Sequence, residues 1–143
     1  MLFLIGLILV PLLDQSIKSA LRERRGEVLI SLGYLGDVRT VHTSIWAARL
    51  AGVLAPRILW TTWLGSTAML AIACVFLPHA GWSAGMLAGA SLSHVVETSR
   101  RGFICDYVCL RHWPAFNLAD VAIGIGAGGL ILEIGQVLRH GLS

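Results

Sequence analysis

The chain has 143 residues, of which 56% are hydrophobic and only 13% are charged, and its formal net charge is +3. A soluble domain of this size is about a quarter charged, so the composition excludes an ordinary soluble fold and favours one membrane domain over residues 1–143. The small, scattered positive charge gives no indication of a nucleic-acid partner.

Four apolar stretches predict four membrane-spanning helices. The first covers residues 2–13, and we expect it to continue past Asp14 because it is short for a span. It lacks the basic leader and cleavage site of a secretory signal, so we expect it to be retained. The second covers residues 58–77 and has no charge. The third, residues 80–96, is rich in the small residues that let membrane helices approach closely, and the fourth covers residues 118–138.

The segment between the first two spans has a different character. Residues 28–34 are β-prone, Gly36-Asp37 is a turn signal and residues 38–41 alternate. This pattern predicts a small hairpin or sheet outside the bilayer. Residues 46–54 predict an amphipathic helix at the membrane interface, with Arg49 facing water. The loop at residues 100–116 follows an odd-numbered span, as this segment does, so both lie on one side.

Two carboxylates, Asp106 and Asp120, stand at the mouths of apolar segments on either side of this loop. Ionisable residues at such positions are costly and are candidates for function. Two neighbouring carboxylates cannot both ionise cheaply, so one holds a proton while the other can deprotonate water. The pair therefore suggests acid/base chemistry. The alternative is that Asp120, three residues after Asn117, merely caps the fourth span.

Three sequence blocks resemble signatures of the lipoprotein signal peptidase (signal peptidase II) family. They are Asp-Gln-Ser-Ile-Lys at residues 14–18, Arg-Gly-Phe-Ile-Cys-Asp-Tyr at 101–107 and Phe-Asn-Leu-Ala-Asp at 116–120. The resemblance implies a four-helix aspartic endopeptidase of the bacterial inner membrane, with a β-cradle on the extracytoplasmic face. Such an enzyme cuts a prolipoprotein just before its diacylglyceryl-modified cysteine. Its expected partners are that substrate, or a related lipidated membrane peptide, and membrane lipids. No cofactor is expected.

The resemblance also implies roles for individual residues. Asp106 and Asp120 match the catalytic dyad, and Asn117 matches the asparagine beside it. Asp14 and Lys18 match a pair at the mouth of the first span. Because they stand four residues apart, we favour a structural ion pair for them over catalysis.

The chain departs from the family pattern at two asparagine positions, which are occupied here by His42 and His94. Neutral histidine can donate and accept hydrogen bonds as asparagine does, and it adds a charge switch near neutral pH. The two substitutions together suggest a rebuilt pocket. If so, both side chains should face the dyad.

The chain also carries Glu97 where the family has aspartate, and Thr98 where it has arginine. Glu97 and Arg101 are four residues apart and could pair if the third helix continues. Arg101 or Arg100 would then replace the missing arginine.

Several alternatives stay open. The protein could hydrolyse another membrane substrate, or bind a lipopeptide or partner without catalysis. A metal could be held by His42, His94, Glu97, Asp106 and Asp120, although we rank hydrogen bonding above metal binding and expect no metal site. Cys105 and Cys109 could form a local disulfide, but small buried filler is the plainer interpretation. The basic residues lie mainly on the dyad side, which by the positive-inside rule would be cytoplasmic; we nevertheless expect the extracytoplasmic face.

Overall fold

The protein is described by a computed structural model over residues 1–24, 27–43 and 56–141. For residues 42, 43, 78, 140 and 141 it describes the backbone alone. The helices are α1 (Leu2–Arg22), α2 (Pro56–Phe76), α3 (Gly81–Arg101) and α4 (Leu118–Gly141). At about 1.5 Å per residue, each is long enough to cross a bilayer core. The expected extension of the first span past Asp14 is confirmed.

The four helices differ in how apolar they are. Within the described residues, α1, α2 and α4 combine the length and the hydropathy of a membrane span. The helix α3 is less apolar because it carries small and polar residues that are buried inside the bundle, including Ser93 and Glu97. It packs against all three other helices, so it needs fewer lipid-facing side chains. The result is a helical membrane fold with α3 at its centre.

Small residues allow α1 and α3 to approach closely. A Cβ added at Gly6 would meet the backbone of Gly85 at 2.7 Å, and one added at Gly89 would meet the Gly6 carbonyl oxygen at 2.5 Å. Close backbone contact of this kind is how membrane helices gain van der Waals packing. The packing role expected for the small residues of the third span is therefore confirmed.

A three-stranded antiparallel sheet lies outside the helices, in the order β1 (Ile30–Ser31), β2 (Gly36–Thr43), β3 (Ile104–Leu110). The predicted hairpin exists, but its turn is a 3₁₀ helix at Gly33–Leu35 rather than Gly36-Asp37. Gly36 instead begins β2 at a φ of 145°, where a Cβ would collide with the Cys109 carbonyl oxygen. The glycine is needed for the approach of β3.

The prediction that residues 100–116 form a loop was wrong for most of the segment. Residues 104–110 form β3, which pairs with β2 so that Val41 lies opposite Asp106 and His42 opposite Cys105. The chain then turns at residues 110–113, where the Trp113 N–H donates to the Leu110 carbonyl oxygen at 3.3 Å. Beyond this turn, Val108 and Phe116 exchange backbone hydrogen bonds of 2.9 and 3.0 Å. This return is what brings the residue after Phe116 alongside Asp106.

Two further expectations concern this region. Cys105 and Cys109 are free thiols, and burial raises the pKa of the Cys105 thiol. Four residues of strand separate their Cα atoms by about 13 Å, well beyond the reach of a disulfide, so the bridge is excluded and the filler interpretation holds. The interfacial helix expected at residues 46–54, with Arg49, lies outside the described residues.

Candidate active site

Asn117 connects the two carboxylates singled out by the sequence. Its side-chain Nδ2 donates to Asp106 Oδ1 at 2.6 Å. Its backbone N–H donates to Asp120 Oδ2 at 2.9 Å. Asn117 is completely buried and Asp106 is 5% exposed, so the Asp106 end of the bridge is shielded from water. The structure thus brings Asp106 and Asp120 together through Asn117, whose side chain binds the first and whose backbone binds the second.

The start of α4 explains how Asp120 is oriented. The Asp120 N–H donates to Asn117 Oδ1 at 3.1 Å, while Asp120 accepts the Asn117 N–H in return. This reciprocal pair is a capping box, which satisfies backbone donors at a helix start. Capping uses Oδ2 of Asp120, and its side chain is 40% exposed. Asp120 therefore caps α4 through Oδ2, while its side chain stays partly exposed and its Oδ1 lies towards His94 of α3.

His94 projects from α3 towards the same group. Its Nε2 lies 3.4 Å from Asn117 Oδ1 and 3.6 Å from Asp120 Oδ1. His94 thus lies beside Asp120, as expected, and it is connected with Asp106 through Asn117. The backbone of His42 pairs with Cys105, next to Asp106 in the sequence, but its side chain lies outside the described residues.

A buried network of alternating charges joins α1 to α3 next to the first turn of α4. Lys18 Nζ contacts Asp14 Oδ2 at 2.7 Å and Glu97 Oε2 at 2.8 Å, and all three side chains are fully buried. Arg22 Nη2 contacts Glu97 Oε1 at 3.1 Å. The predicted Asp14–Lys18 ion pair is confirmed. Pairing of this kind offsets the cost of burying charge.

The expected partner of Glu97 was wrong. The helix does continue to Arg101, but Glu97 pairs with Lys18 and Arg22 of α1 instead. Arg100 and Arg101 are exposed at the end of α3, where Gly102 turns the chain away in a left-handed conformation. Helix α1 packs against the buried face of α3, so its cations reach Glu97 directly. Arg22, rather than Arg100 or Arg101, supplies the second cation.

Three side chains from three elements hold the first turn of α4. The N–H groups of Leu118, Ala119 and Asp120 donate to Tyr107 Oη at 2.9 Å, Asp14 Oδ1 at 3.3 Å and Asn117 Oδ1 at 3.1 Å, respectively. Burial raises the pKa of the Tyr107 phenol to about 12, so it stays neutral. The turn that carries Asp120 is thus fixed from β3, α1 and its own cap.

Sequence reasoning missed three members of this arrangement, which are Tyr107, Arg22 and Ser93. The Ser93 hydroxyl donates to Asp14 Oδ2 at 2.6 Å and accepts from Gln15 Nε2 at 2.8 Å. Arg22 stands four residues after Lys18, so helical periodicity could have placed it on the same face. Tyr107 directly follows Asp106, but nothing in the sequence connects it with Leu118.

The metal alternative gains no support in the part of the chain that the structure describes. No group of three or more His, Cys, Asp or Glu residues there could hold a metal ion. Glu97, one of the five candidate ligands, is occupied by two cations.

Comparison with known proteins gives consistent matches. A family model described as signal peptidase (SPase) II matches residues 6–136. The lipoprotein signal peptidase of Halothermothrix orenii is 41% identical over 59 residues, covering 41% of this chain and 41% of that protein. The one from Paraburkholderia phytofirmans is 33% identical over 87 residues, covering 52% and 51%. The chain thus spans from two fifths to half the length of these curated relatives.

Two solved structures share the fold. Both are described as bacterial membrane enzymes determined by the in meso method. The first, at 2.3 Å, has a TM-score of 0.69 and 17% identity, and the match covers 94% of this chain and 87% of the other. The second, at 1.9 Å, has a TM-score of 0.67 and 16% identity. At such low sequence identities, these two matches show only that the fold is shared. Membership of a family is shown by the family model, which matches most of the sequence. The chain belongs to the signal peptidase II family.

Proposed function

We propose that this protein is an aspartic endopeptidase that cleaves a lipid-modified prolipoprotein at the membrane surface. The observation that carries the proposal is the bridge from Asn117 to both Asp106 and Asp120. Membership of the signal peptidase II family supports it. So do the relatives that are named lipoprotein signal peptidases.

The chemistry needs one protonated and one ionised carboxyl group. The ionised aspartate takes a proton from water as the water oxygen attacks the peptide carbonyl carbon. The protonated aspartate gives its proton to the carbonyl oxygen, and a tetrahedral intermediate forms. When the C–N bond breaks, the proton taken from water passes to the leaving nitrogen. The hydroxyl proton of the intermediate returns to the other aspartate, which restores the dyad.

The position of the site supports a membrane-bound substrate. Asp120 is in the first turn of α4 and Asp106 is on the sheet that lies against the ends of the helices. A lipid-anchored peptide whose acyl chains stay in the bilayer would present its modified cysteine at the level of Asp106 and Asp120. No metal or cofactor is assigned a part in this reaction.

The proposal is tested with purified protein and two synthetic prolipopeptides. One carries a diacylglyceryl cysteine, and the matched control carries the same cysteine unmodified. We expect a single cut immediately before the modified cysteine, identified by mass spectrometry, and no cut in the control. Binding of the lipidated peptide without product would favour the noncatalytic alternative. Equal cleavage of both peptides would contradict the substrate assignment.

We further propose that the active site faces the extracytoplasmic side. The positive-inside bias argues otherwise, but it sets orientation only on average. The proposal follows the resemblance to the family, which implies a β-cradle on the extracytoplasmic face, and a folding sheet can override the charge bias.

Reporter fusions test the orientation. A fusion at Gly36 should give alkaline phosphatase activity, and a fusion at Pro78, between α2 and α3, should give cytoplasmic green fluorescence. Both fusions should be made with both reporters, so that each silent reporter has a positive counterpart. Fluorescence at Gly36 would contradict the orientation and, with it, the proposed substrate.

A further inference from the structure

Two consecutive residues of β3 bind two consecutive residues at the start of α4. Asp106 accepts a hydrogen bond from the side-chain amide of Asn117 at 2.6 Å. Tyr107, the next residue, accepts the backbone N–H of Leu118 through its phenol oxygen at 2.9 Å. Asp106 and Tyr107 are 5% and 7% exposed, so water has little access to either residue. The strand and the helix are therefore joined at two adjacent points.

Tyr107 also contacts the chain just before Asn117. Its backbone N–H donates to the Phe116 carbonyl oxygen at 3.1 Å. Leu118, which its side chain binds, is the first residue of α4, where the chain becomes helical. Tyr107 therefore binds both sequence neighbours of Asn117, the residue that bridges the two carboxyl groups.

A phenol is well suited to the contact with Leu118. The N–H groups of a first helical turn have no partner within the helix, so they need acceptors from elsewhere. Burial raises the pKa of the Tyr107 phenol to about 12, so the hydroxyl is neutral near neutral pH. A neutral hydroxyl can accept the Leu118 N–H without adding a further charge to the site.

The first turn of α4 has further contacts of a different kind. Asp14 accepts the Ala119 N–H at 3.3 Å, but it does so from α1. The capping box between Asn117 and Asp120 is internal to the turn and moves with it. Neither contact sets the position of the turn relative to the strand that carries Asp106.

We propose that Tyr107 is a positioning residue whose hydroxyl fixes the first turn of α4 against β3, and thereby fixes the placement of Asp120 relative to Asp106. With the Asn117 side chain alone, the turn could pivot about one hydrogen bond, and the Leu118 bond removes that freedom. The fixing of the turn does not depend on the proposed function, whereas its effect on the reaction rate rests on that function.

The effect should appear in kcat rather than in KM. The reaction passes protons between two carboxyl groups, a water molecule and the peptide, and a misplacement of about 1 Å can cost roughly a hundredfold in rate. Tyr107 lies behind the bridge and is 7% exposed, so its hydroxyl contributes to the alignment of the carboxyl groups and not to the binding of the substrate.

Removal of the hydroxyl tests the effect on the rate. Tyr107→Phe keeps the buried ring, and kcat on the diacylglyceryl prolipopeptide should fall about tenfold while KM stays within roughly twofold of the parent. Tyr34→Phe is the matched control, because it removes the same atom from the other tyrosine of the chain, which is 74% exposed, and it should match the parent. Rates are compared well below the unfolding temperature of each variant. A parent-like kcat, or a change in KM alone, would overturn the proposal.

A double variant separates positioning from a general loss of stability. If the hydroxyl acts by aligning the dyad, Tyr107→Phe should lower the residual single-turnover rate of Asp106→Asn by less than about twofold, because the dyad can no longer transfer the proton. A tenfold loss in this background as well would show that the hydroxyl acts independently of the dyad, which would contradict the positioning role.

Amide hydrogen exchange examines the turn without a substrate. In Tyr107→Phe, exchange should be about tenfold faster at Leu118, Ala119 and Asp120, because the whole turn loses its attachment, while later turns of α4 keep the parental rates. Faster exchange at Leu118 alone would mean that the hydroxyl satisfies one N–H group without fixing the turn, and the inference would be wrong. If all three amides respond but the parent cleaves no prolipopeptide, the proposed function fails and the fixing of the turn by Tyr107 stands.

Discussion

Asp106→Asn and Asp120→Asn should each lower kcat by about a thousandfold or more while the protein stays folded. Asparagine has nearly the same shape as aspartate and keeps an oxygen that can accept from Asn117, so the bridge and the cap of α4 persist. An amide cannot take up or release the proton that the reaction transfers. The measurement is the single-turnover rate on the diacylglyceryl prolipopeptide, with thermal denaturation in detergent as the check on folding.

The control for this prediction is Asp37→Asn. Asp37 is a carboxylate on β2 that pairs with Arg39 at 3.3 Å, away from the bridge made by Asn117. It should leave the rate unchanged. The two carboxyl groups act as a unit, so the double variant should be scarcely slower than either single one. If either Asp→Asn variant kept a near-parental rate, the dyad assignment would be wrong.

Lys18→Met should reduce the free energy of unfolding by about 3–5 kcal/mol. Lys18 lies between Asp14 and Glu97 at 2.7 and 2.8 Å, and all three side chains are fully buried. Methionine fills much of the same space but leaves two buried carboxylates facing each other without a cation between them. The measurement is unfolding by a denaturing detergent, compared with the parent under the same conditions.

Two further variants separate charge from packing. Arg22→Met removes a cation from the same network of charges, but the Arg22 side chain is 19% exposed, so we expect a smaller loss. Combining Lys18→Met with Asp14→Asn removes the charge that Lys18 had paired, whereas Glu97 keeps Arg22 as its partner, and this double variant should recover part of the stability. If Lys18→Met and Arg22→Met reduced the free energy of unfolding equally, the deeper burial of Lys18 would not be what makes its charge important for stability.

Much of the candidate site could be predicted because its signals are local. Asp14 and Lys18 stand one helical turn apart, so their ion pair follows from periodicity alone. Asn117 and Asp120 have capping-box spacing, which the structure bears out at 2.9 and 3.1 Å. The resemblance of the motif blocks to signal peptidase II linked these residues with Asp106. The match of the signal peptidase II family model to residues 6–136 agrees with that resemblance.

The errors concern partners that are distant in the sequence. Glu97 and Arg101 satisfy the same one-turn rule as Asp14 and Lys18, yet Glu97 pairs with α1, because the face of α3 that is buried depends on how the helices pack. Residues 104–110 include the β-prone Ile104, Tyr107 and Val108, a signal that the prediction of a loop overlooked, and they form β3 on the pairing edge that β2 provides. Strand formation depends on the neighbouring strand more than on intrinsic preference.

The sequence by itself determined the membrane class and the approximate positions of the helices, and it singled out the two carboxylates as candidates, because composition, short spacings and motif blocks carry that information. Only the tertiary structure decided how the carboxylates meet. The pairing of β3 with β2 and the return at Val108 and Phe116 place Asn117 against Asp106. The packing of α1 on α3 brings Asp14 to the first turn of α4. These contacts join residues up to 105 positions apart, and no local pattern specifies them because they form only when the helices and the sheet pack together.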